Sequence, residues 1–439
     1  MKTKLLSLIL SGAMLFGTAA FEPPQAEAAA LDLGNYTFYD VEYSPELGVY
    51  MAMAKDISNN SNPSRVYTST DMELWTMTRS DASAIHYANK ETRQQLVWWE
   101  AQQVFVMQLS DRMLISHDGY TWEAVTLPEA TSSNVTLATN GDVLVMAGKT
   151  IIRVFKNLDE VYAEFNIDTT PDNATYSKAV GVTAEEPYSY VITDQYRTWR
   201  SDDGATVTTG DKDIGAHPYD MVWSDNINGW LVVNGTTTLR VMAGNEIAYT
   251  EFASMQLSDG TSNTAKYTAA GVGENYVIAG TDTGNLYVAP NDSSSFTTDV
   301  QWEIAQPGNG NVLSEEIRSI TEVGDGRFLV ASATKLLLLE NDGDGWKYYD
   351  TADADIYVDT VRVEIPESGS MDIPVEPVNR NCKGEVSDDP IISFELTSEL
   401  PDGIEYDGSG ASGVLTVDSS TQGGHAITFH AVSENGREK

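Results

Sequence analysis

The chain has 439 residues, and its 65 aspartates and glutamates against 26 lysines and arginines give a formal net charge of −39. A field of that sign repels phosphate backbones and anionic headgroups, which argues against nucleic acid and acidic membrane surfaces as partners. The acidic residues are scattered rather than clustered, a pattern that suits the solubility of an exported protein.

Lys2 and Lys4 precede an apolar stretch from Leu5 to Ala20, and Ala26-Glu27-Ala28 offers small residues at a cleavage point. This succession reads as a secretory signal peptide over residues 1–28, its apolar run being too short to span a bilayer. Cleavage there leaves 411 of the 439 residues, with no cysteine at the new terminus to carry a lipid. No later stretch is long and apolar enough to cross a membrane, so no integral membrane segment is expected. Cys382 is the only cysteine, which excludes an intramolecular disulfide framework despite the export.

From Tyr39 onward the text repeats: an apolar strand, a turn, a second apolar strand, then a third and a fourth. Second strands begin near Val49, Val104, Val143, Ser189, Trp230, Tyr276 and Arg327, at spacings of 39 to 55 residues. In the first unit the four strands are predicted at Tyr39–Tyr43, Val49–Ala54, Arg65–Ser69 and Trp75–Thr78. In the seventh they are predicted at Ile317–Glu322, Arg327–Ser332, Lys335–Glu340 and Trp346–Tyr349. Turn signals separate them, among them Asn140-Gly141-Asp142, Asn228-Gly229 and Gly324-Asp325-Gly326. A period of that length made of strands implies propeller blades, here a seven-bladed β-propeller over residues 29–354. Near Asp353–Tyr357 the pattern stops. Val361–Ile365, Ile391–Thr397, Gly413–Val417 and Ala426–Val432 then read as short strands of a small Ig-like β-sandwich over residues 355–439, making the whole chain all-β.

The third-to-fourth-strand turns share a motif. Its copies are Ser69-x-Asp71 with Trp75, Ser116-x-Asp118-Gly119 with Trp122, and Ser201-x-Asp203-Gly204. These residues resemble the Asp-box, or BNR, repeat of sialidases and of many secreted propellers without enzymatic activity. The physics of the motif is structural: Ser and Asp side chains bond turn N–H groups, and Gly supplies a permissive backbone angle. Trp75, Trp122, Trp302 and Trp346 are placed to pack between blades. The segment Leu400-Pro401-Asp402-Gly403-Ile404, with Gly413-Val414-Leu415 and Gly424–Val432, is similar to Ig-like and cadherin-like modules of bacterial surface proteins. That resemblance implies one strand more than the chain carries before Lys439, so the module reads as truncated or open at one edge.

Sialidase chemistry would require an arginine triad and a Tyr–Glu nucleophile. Where the family expects Arg-Ile-Pro, this chain has Arg65-Val66-Tyr67 on a third strand, and no other arginine sits in a family context. A different glycosidase, working with two carboxylates, stays open because Asp and Glu are abundant. The five histidines, His86, His117, His217, His425 and His430, show no metal spacing, and no nucleotide loop is present. Asp342-Gly343-Asp344-Gly345 is a candidate for weak calcium binding, with a hairpin turn as the stronger reading. No cofactor is expected. Trp98 and Trp99 are adjacent on a first strand, one for each sheet interface.

These features add up to a secreted or cell-surface binding and adhesion protein, presenting a propeller face to an extracellular glycan or protein ligand. The longest second-to-third-strand loop on that face is Lys55–Ser64. The alternatives are a secreted glycan-active hydrolase on the same scaffold and a purely structural surface-layer component. No catalytic residue can be assigned. Mass spectrometry of the exported product should find an N-terminus close to Ala29; recovery of residues 1–20 intact would contradict the signal peptide.

Overall fold

The computed structural model describes Leu33 and residues 35–438, except for 57–63, 82–94, 109–112, 126–135, 149–150, 159–160, 167–178, 183–189, 194–197, 202–205, 207, 211–218, 238, 244–248, 253–255, 258–263, 297–300, 359–368, 419–420 and 422–426. Strands dominate it. The helical elements among the described residues are short 3₁₀ turns at Glu100–Gln102, Ser293–Phe296 and Thr351–Asp353. No helix among these residues is long and apolar enough to cross a membrane.

Among the described residues, seven sheets follow one another in sequence, each built on four sequential antiparallel strands. Their innermost strands are Tyr36–Ser44, Leu96–Trp99, Thr136–Thr139, Ala179–Val182, Asp220–Ser224, Tyr267–Val272 and Ile317–Glu322. Each touches the next, and the last touches the first, so the sheets close into a ring around an axis: a β-propeller. Second strands begin at Val49, Val104, Leu144, Tyr190, Gly229, Tyr276 and Phe328, within one residue of the sequence reading at every sheet. The first and seventh sheets reproduce their predicted strands with ends shifted by no more than three residues. Short extra strands, Gln256–Leu257 and Gln306–Pro307, lie parallel to the outermost strands of the sixth and seventh sheets.

What holds the ring is apolar packing between the faces of neighbouring sheets. One cluster joins Met51, Met53 and Val66 of the first sheet to Leu96, Trp98 and Phe105 of the second. Another joins Trp99, Val104 and Met113 of the second to Leu137, Leu144 and Phe155 of the third. The adjacent tryptophans therefore do face opposite ways, each into a different seam, as strand alternation requires. Trp302 fills the seam between the fifth and sixth sheets and Trp346 that between the sixth and seventh. A side chain of this size, buried as fully as Trp99, contributes roughly 1.5–3 kcal/mol or more.

The Ser69-x-Asp71 and Ser116-x-Asp118 segments occupy the turns between third and fourth strands. Asp118 accepts hydrogen bonds from the N–H groups of Tyr120 and Thr121, both at 2.7 Å, and from the hydroxyls of Thr121 at 2.7 Å and Ser116 at 3.1 Å. Asp71 accepts from the N–H groups of Glu73 and Leu74 at 2.8 Å and from Ser69 Oγ at 2.9 Å. Gly119 has φ +80°, and a Cβ there would come within 2.8 Å of Val49 in the first sheet, so only glycine fits both backbone and neighbour. Trp75 is buried and donates its indole N–H to the Met72 carbonyl, while Trp122 is half-buried against the first seam. Ser201 is buried; Asp203 and Gly204 lie outside the described residues.

After Thr351–Asp353 the chain leaves the seventh sheet, and Asp355–Val358 pairs with Pro377–Arg380. Ser370–Val375, Ser412–Asp418 and Ile404–Ser409 form a second sheet, and Ile391–Leu396 with Phe429–Ser433 a third. Ile356, Val375, Phe394 and Ala431 make their shared core. The predicted strand Val361–Ile365 falls outside the described residues. Four segments here were not read as strands from sequence, Asp355–Val358, Ser370–Val375, Pro377–Arg380 and Ile404–Ser409; the second and third carry Pro374 and Pro377, which removed them from the pattern.

Replacing Asp118 by alanine leaves four donors of the turn without their acceptor. Thermal or denaturant unfolding should show a loss of roughly 1–2 kcal/mol. An unchanged stability would mean that the turn does not depend on its carboxylate.

Candidate functional site

Each innermost strand is hydrogen-bonded on one side only, to the second strand of its own sheet, so its other edge faces the axis. Backbone groups there need partners, and the sequence supplies them from neighbouring sheets. Asp40 Oδ2 accepts from the N–H groups of Gln95 and Leu96 in the second sheet, at 2.8 and 2.9 Å. Its Oδ1 accepts from Ser319 Oγ in the seventh sheet at 2.7 Å. Thr321 Oγ1 donates to the Val41 carbonyl at 2.8 Å, and Arg318 Nη1 to the Phe38 carbonyl at 3.3 Å. On the opposite side of the ring, Asp220 accepts from the Ala270 N–H of the sixth sheet at 3.1 Å.

Asp40 and Asp220 hold equivalent places. Each stands four residues before the serine that ends its inner strand, Ser44 and Ser224. Each is also followed at the same offset by an aromatic residue facing another across the first hairpin. Tyr43 opposes Tyr50 with ring centroids 4.6 Å apart, and Trp223 opposes Trp230 at 4.5 Å. Trp98 and Phe105 make the same pair in the second sheet at 4.8 Å. Sequence reasoning missed this set, although the signal was present: aromatic residues seven apart recur at Tyr43/Tyr50, Trp98/Phe105 and Trp223/Trp230.

These strands enclose an axial cavity of about 310 Å³. Asp40, Glu42, Asp220, Trp223, Asn140 and Thr321 are among its lining, with Leu96, Val97 and Leu137 as apolar wall. Its described charged groups are all carboxylates; no lysine, arginine or histidine contributes. Burial pushes the Asp40 pKa up to about 7, against the lowering effect of its N–H and hydroxyl donors, and the Asp220 charge adds slightly to the rise. Glu42 keeps some contact with the cavity, yet close packing around it pushes its pKa up to about 8. The Tyr43 N–H at 2.9 Å and the Trp98 N–H oppose that rise.

The other sequence candidates lie elsewhere. His117 is exposed, 3.9 Å from Glu123. Asp342–Gly345 forms the hairpin turn between Leu336–Asn341 and Trp346–Asp350, with the Asp342 carboxylate paired to Lys347. Among the described residues no group of three or more His, Cys, Asp or Glu side chains is arranged to hold a metal. Of the loop Lys55–Ser64, residues 57–63 lie outside the described residues.

The chain matches no family model and no curated protein. Among solved structures it is similar to Sqt1 of Saccharomyces cerevisiae, at 8% identity and TM-score 0.49 over 80% of this chain and 94% of that one. YCF48 from Cyanidioschyzon merolae is similar at 16% identity and TM-score 0.48, over 71% and 97% of the two chains. PorZ, a bacterial surface component of the type-IX secretion system of Porphyromonas gingivalis, is similar at 9% identity and TM-score 0.46, over 92% and 45%. At these values the likenesses carry no functional argument, and the propeller assignment rests on the sheet order and ring closure.

Raised carboxyl pKa values have a signed consequence. The native state holds the Asp40 proton more tightly than the unfolded chain, whose pKa is the ordinary 3.8. The stability this contributes is complete below about pH 4 and is lost as pH rises through about 7. Asp40→Asn should therefore lower stability at pH 5, through imperfect pairing with the seam N–H groups, while flattening its fall between pH 4 and 7. An unchanged slope in denaturant unfolding would assign the ionised carboxylate to the native state.

Proposed function

We propose that this protein is a secreted, cell-surface binding protein: a seven-bladed propeller of the Asp-box kind followed by an Ig-like module, taking an extracellular glycan or protein ligand. The observation that carries the reading is the employment of the axial carboxylates. Asp40, Glu42 and Asp220 all accept N–H groups, and Asp40 and Asp220 bind neighbouring sheets together. The Asp71 and Asp118 carboxylates are likewise consumed by their turns. Groups that sequence alone leaves open to catalysis thus act as scaffold, and a rigid ring with variable loops needs only surface complementarity to bind. The absence of a cation from the described lining of the axial cavity also speaks against recognition of an acidic sugar there.

A second reading, a glycan-active hydrolase, is favoured by one observation. Asp40 and Glu42 have pKa values raised to about 7 and 8 at the wall of a cavity, the range a general acid needs. The two readings separate in one experiment on the purified protein. Binding on a glycan or protein array without turnover supports the binding role. Release of reducing sugar that disappears in Glu42→Gln while folding is retained would replace it with the hydrolase.

A further inference from the structure

All four strands of the first sheet, and the four antiparallel strands of the seventh, are consecutive in sequence, so among the described residues no strand crosses the seam where the ring closes. The seam is instead bridged from outside by residues 381–385 of the C-terminal part. These form a tight turn, with the Asn381 N–H donating to the Glu385 carbonyl at 2.9 Å and the Gly384 N–H to the Asn381 carbonyl at 2.9 Å. One side of the turn holds the first sheet: the Cys382 N–H donates to Glu73 Oε1 at 3.2 Å, and Glu73 belongs to the Ser69-x-Asp71 turn. Its other side holds the seventh: Lys383 Nζ pairs with Glu340 at 2.7 Å, and Asn309 Nδ2 donates to the Cys382 carbonyl at 2.8 Å.

The same carboxylate is gripped a second time. Arg437 Nη2 pairs with Glu73 Oε2 at 3.1 Å, while Nη1 donates to Asn379 Oδ1 at 2.6 Å. Arg437 is buried and Glu73 largely enclosed, at 8% and 14% side-chain exposure, so removing one leaves the other charge poorly solvated. Between these polar grips the Cys382 side chain enters the apolar cluster of the closing seam, with Met72, Trp75 and Tyr349.

We propose that the C-terminal part is a clasp that keeps the propeller ring shut across its first and seventh sheets, and that its release opens that seam before the rest of the ring. The single thiol reports on it. Cys382 is 3% exposed and its pKa is pushed up to about 12 by burial, so it is inert while the clasp is seated and reactive once it lifts.

The test combines thiol-labelling kinetics of Cys382 with native-state hydrogen exchange on the full-length protein and on Glu73→Gln and Lys383→Ala. Each variant should label about tenfold faster or more. Exchange should rise in Tyr36–Ser44 and Ile317–Glu322 while Leu144–Ala147 and Ile151–Phe155 of the third sheet keep their protection. Labelling that accelerates with no change at the seam would make the C-terminal part a tethered appendage. A uniform rise through all seven sheets would show global unfolding, and unchanged labelling would show that these contacts do not hold the turn. Each of these three results overturns the proposal.

Discussion

The ring depends on what happens to the unpaired inner edge of each sheet. A four-stranded sheet has two edges; the outer meets solvent, whereas the inner is crowded against other inner edges around a narrow axis. N–H and carbonyl groups left there without partners would each cost on the order of 1–3 kcal/mol. Asp40, Ser319, Thr321 and Asp220 meet this demand by reaching across to the next sheet. They act at several seams. Thr268 Oγ1 bonds the Ile317 carbonyl at 2.7 Å, and Thr37 Oγ1 the Ala333 carbonyl at 2.7 Å. Apolar packing between the sheets supplies most of the driving force, but it is non-directional. The polar contacts at the axis fix the angle and height at which one sheet meets another.

Much of the scaffold was legible in the sequence because its signals are local. A hairpin turn needs Gly or Asn where φ is positive, and Gly48, Asn228 and Gly324 supply that; the second-strand starts followed from such turns. The Ser-x-Asp motif was legible for the same reason, its bonds spanning only two or three residues. The axial carboxylates were not. Asp40, Glu42 and Asp220 are three of 65 acidic residues, and what distinguishes them is a partner some 50 positions away, Gln95 and Leu96 for Asp40 and Ala270 for Asp220. Only the recurrence of acid, serine and aromatic residues at fixed offsets in the first and fifth sheets could have singled out Asp40 and Asp220, and no local rule marks it. The strands around Pro374 and Pro377 were hidden for the opposite reason, since proline argues locally against the sheet that tertiary pairing nevertheless makes.

A chain with a net charge of −39 has placed several of its best-buried ionisable groups at sheet seams and at the C-terminal contact. Glu73 and Glu340 meet Arg437 and Lys383 there, while Asp40 has only dipoles. Basic residues are scarce, and three of them, Arg318, Lys383 and Arg437, are spent where the first and last sheets meet rather than on the exposed surface. The acidic field at large is a property of the surface; at the seams, charge is used for geometry.

Building every sheet from neighbouring strands bears on how the chain acquires its shape. Within a sheet, contacts form between segments a few residues apart, so each can assemble soon after it emerges from a narrow channel, without waiting for the remote terminus. The final seam joins residues 278 to 296 positions apart, Val41 with Ser319 and Thr37 with Ala333 among them. Loop closure over that distance adds an entropic cost that grows only logarithmically with length. The topology thus lets six seams form as successive sheets are made from the amino end, whereas the seventh can close only once the last sheet exists.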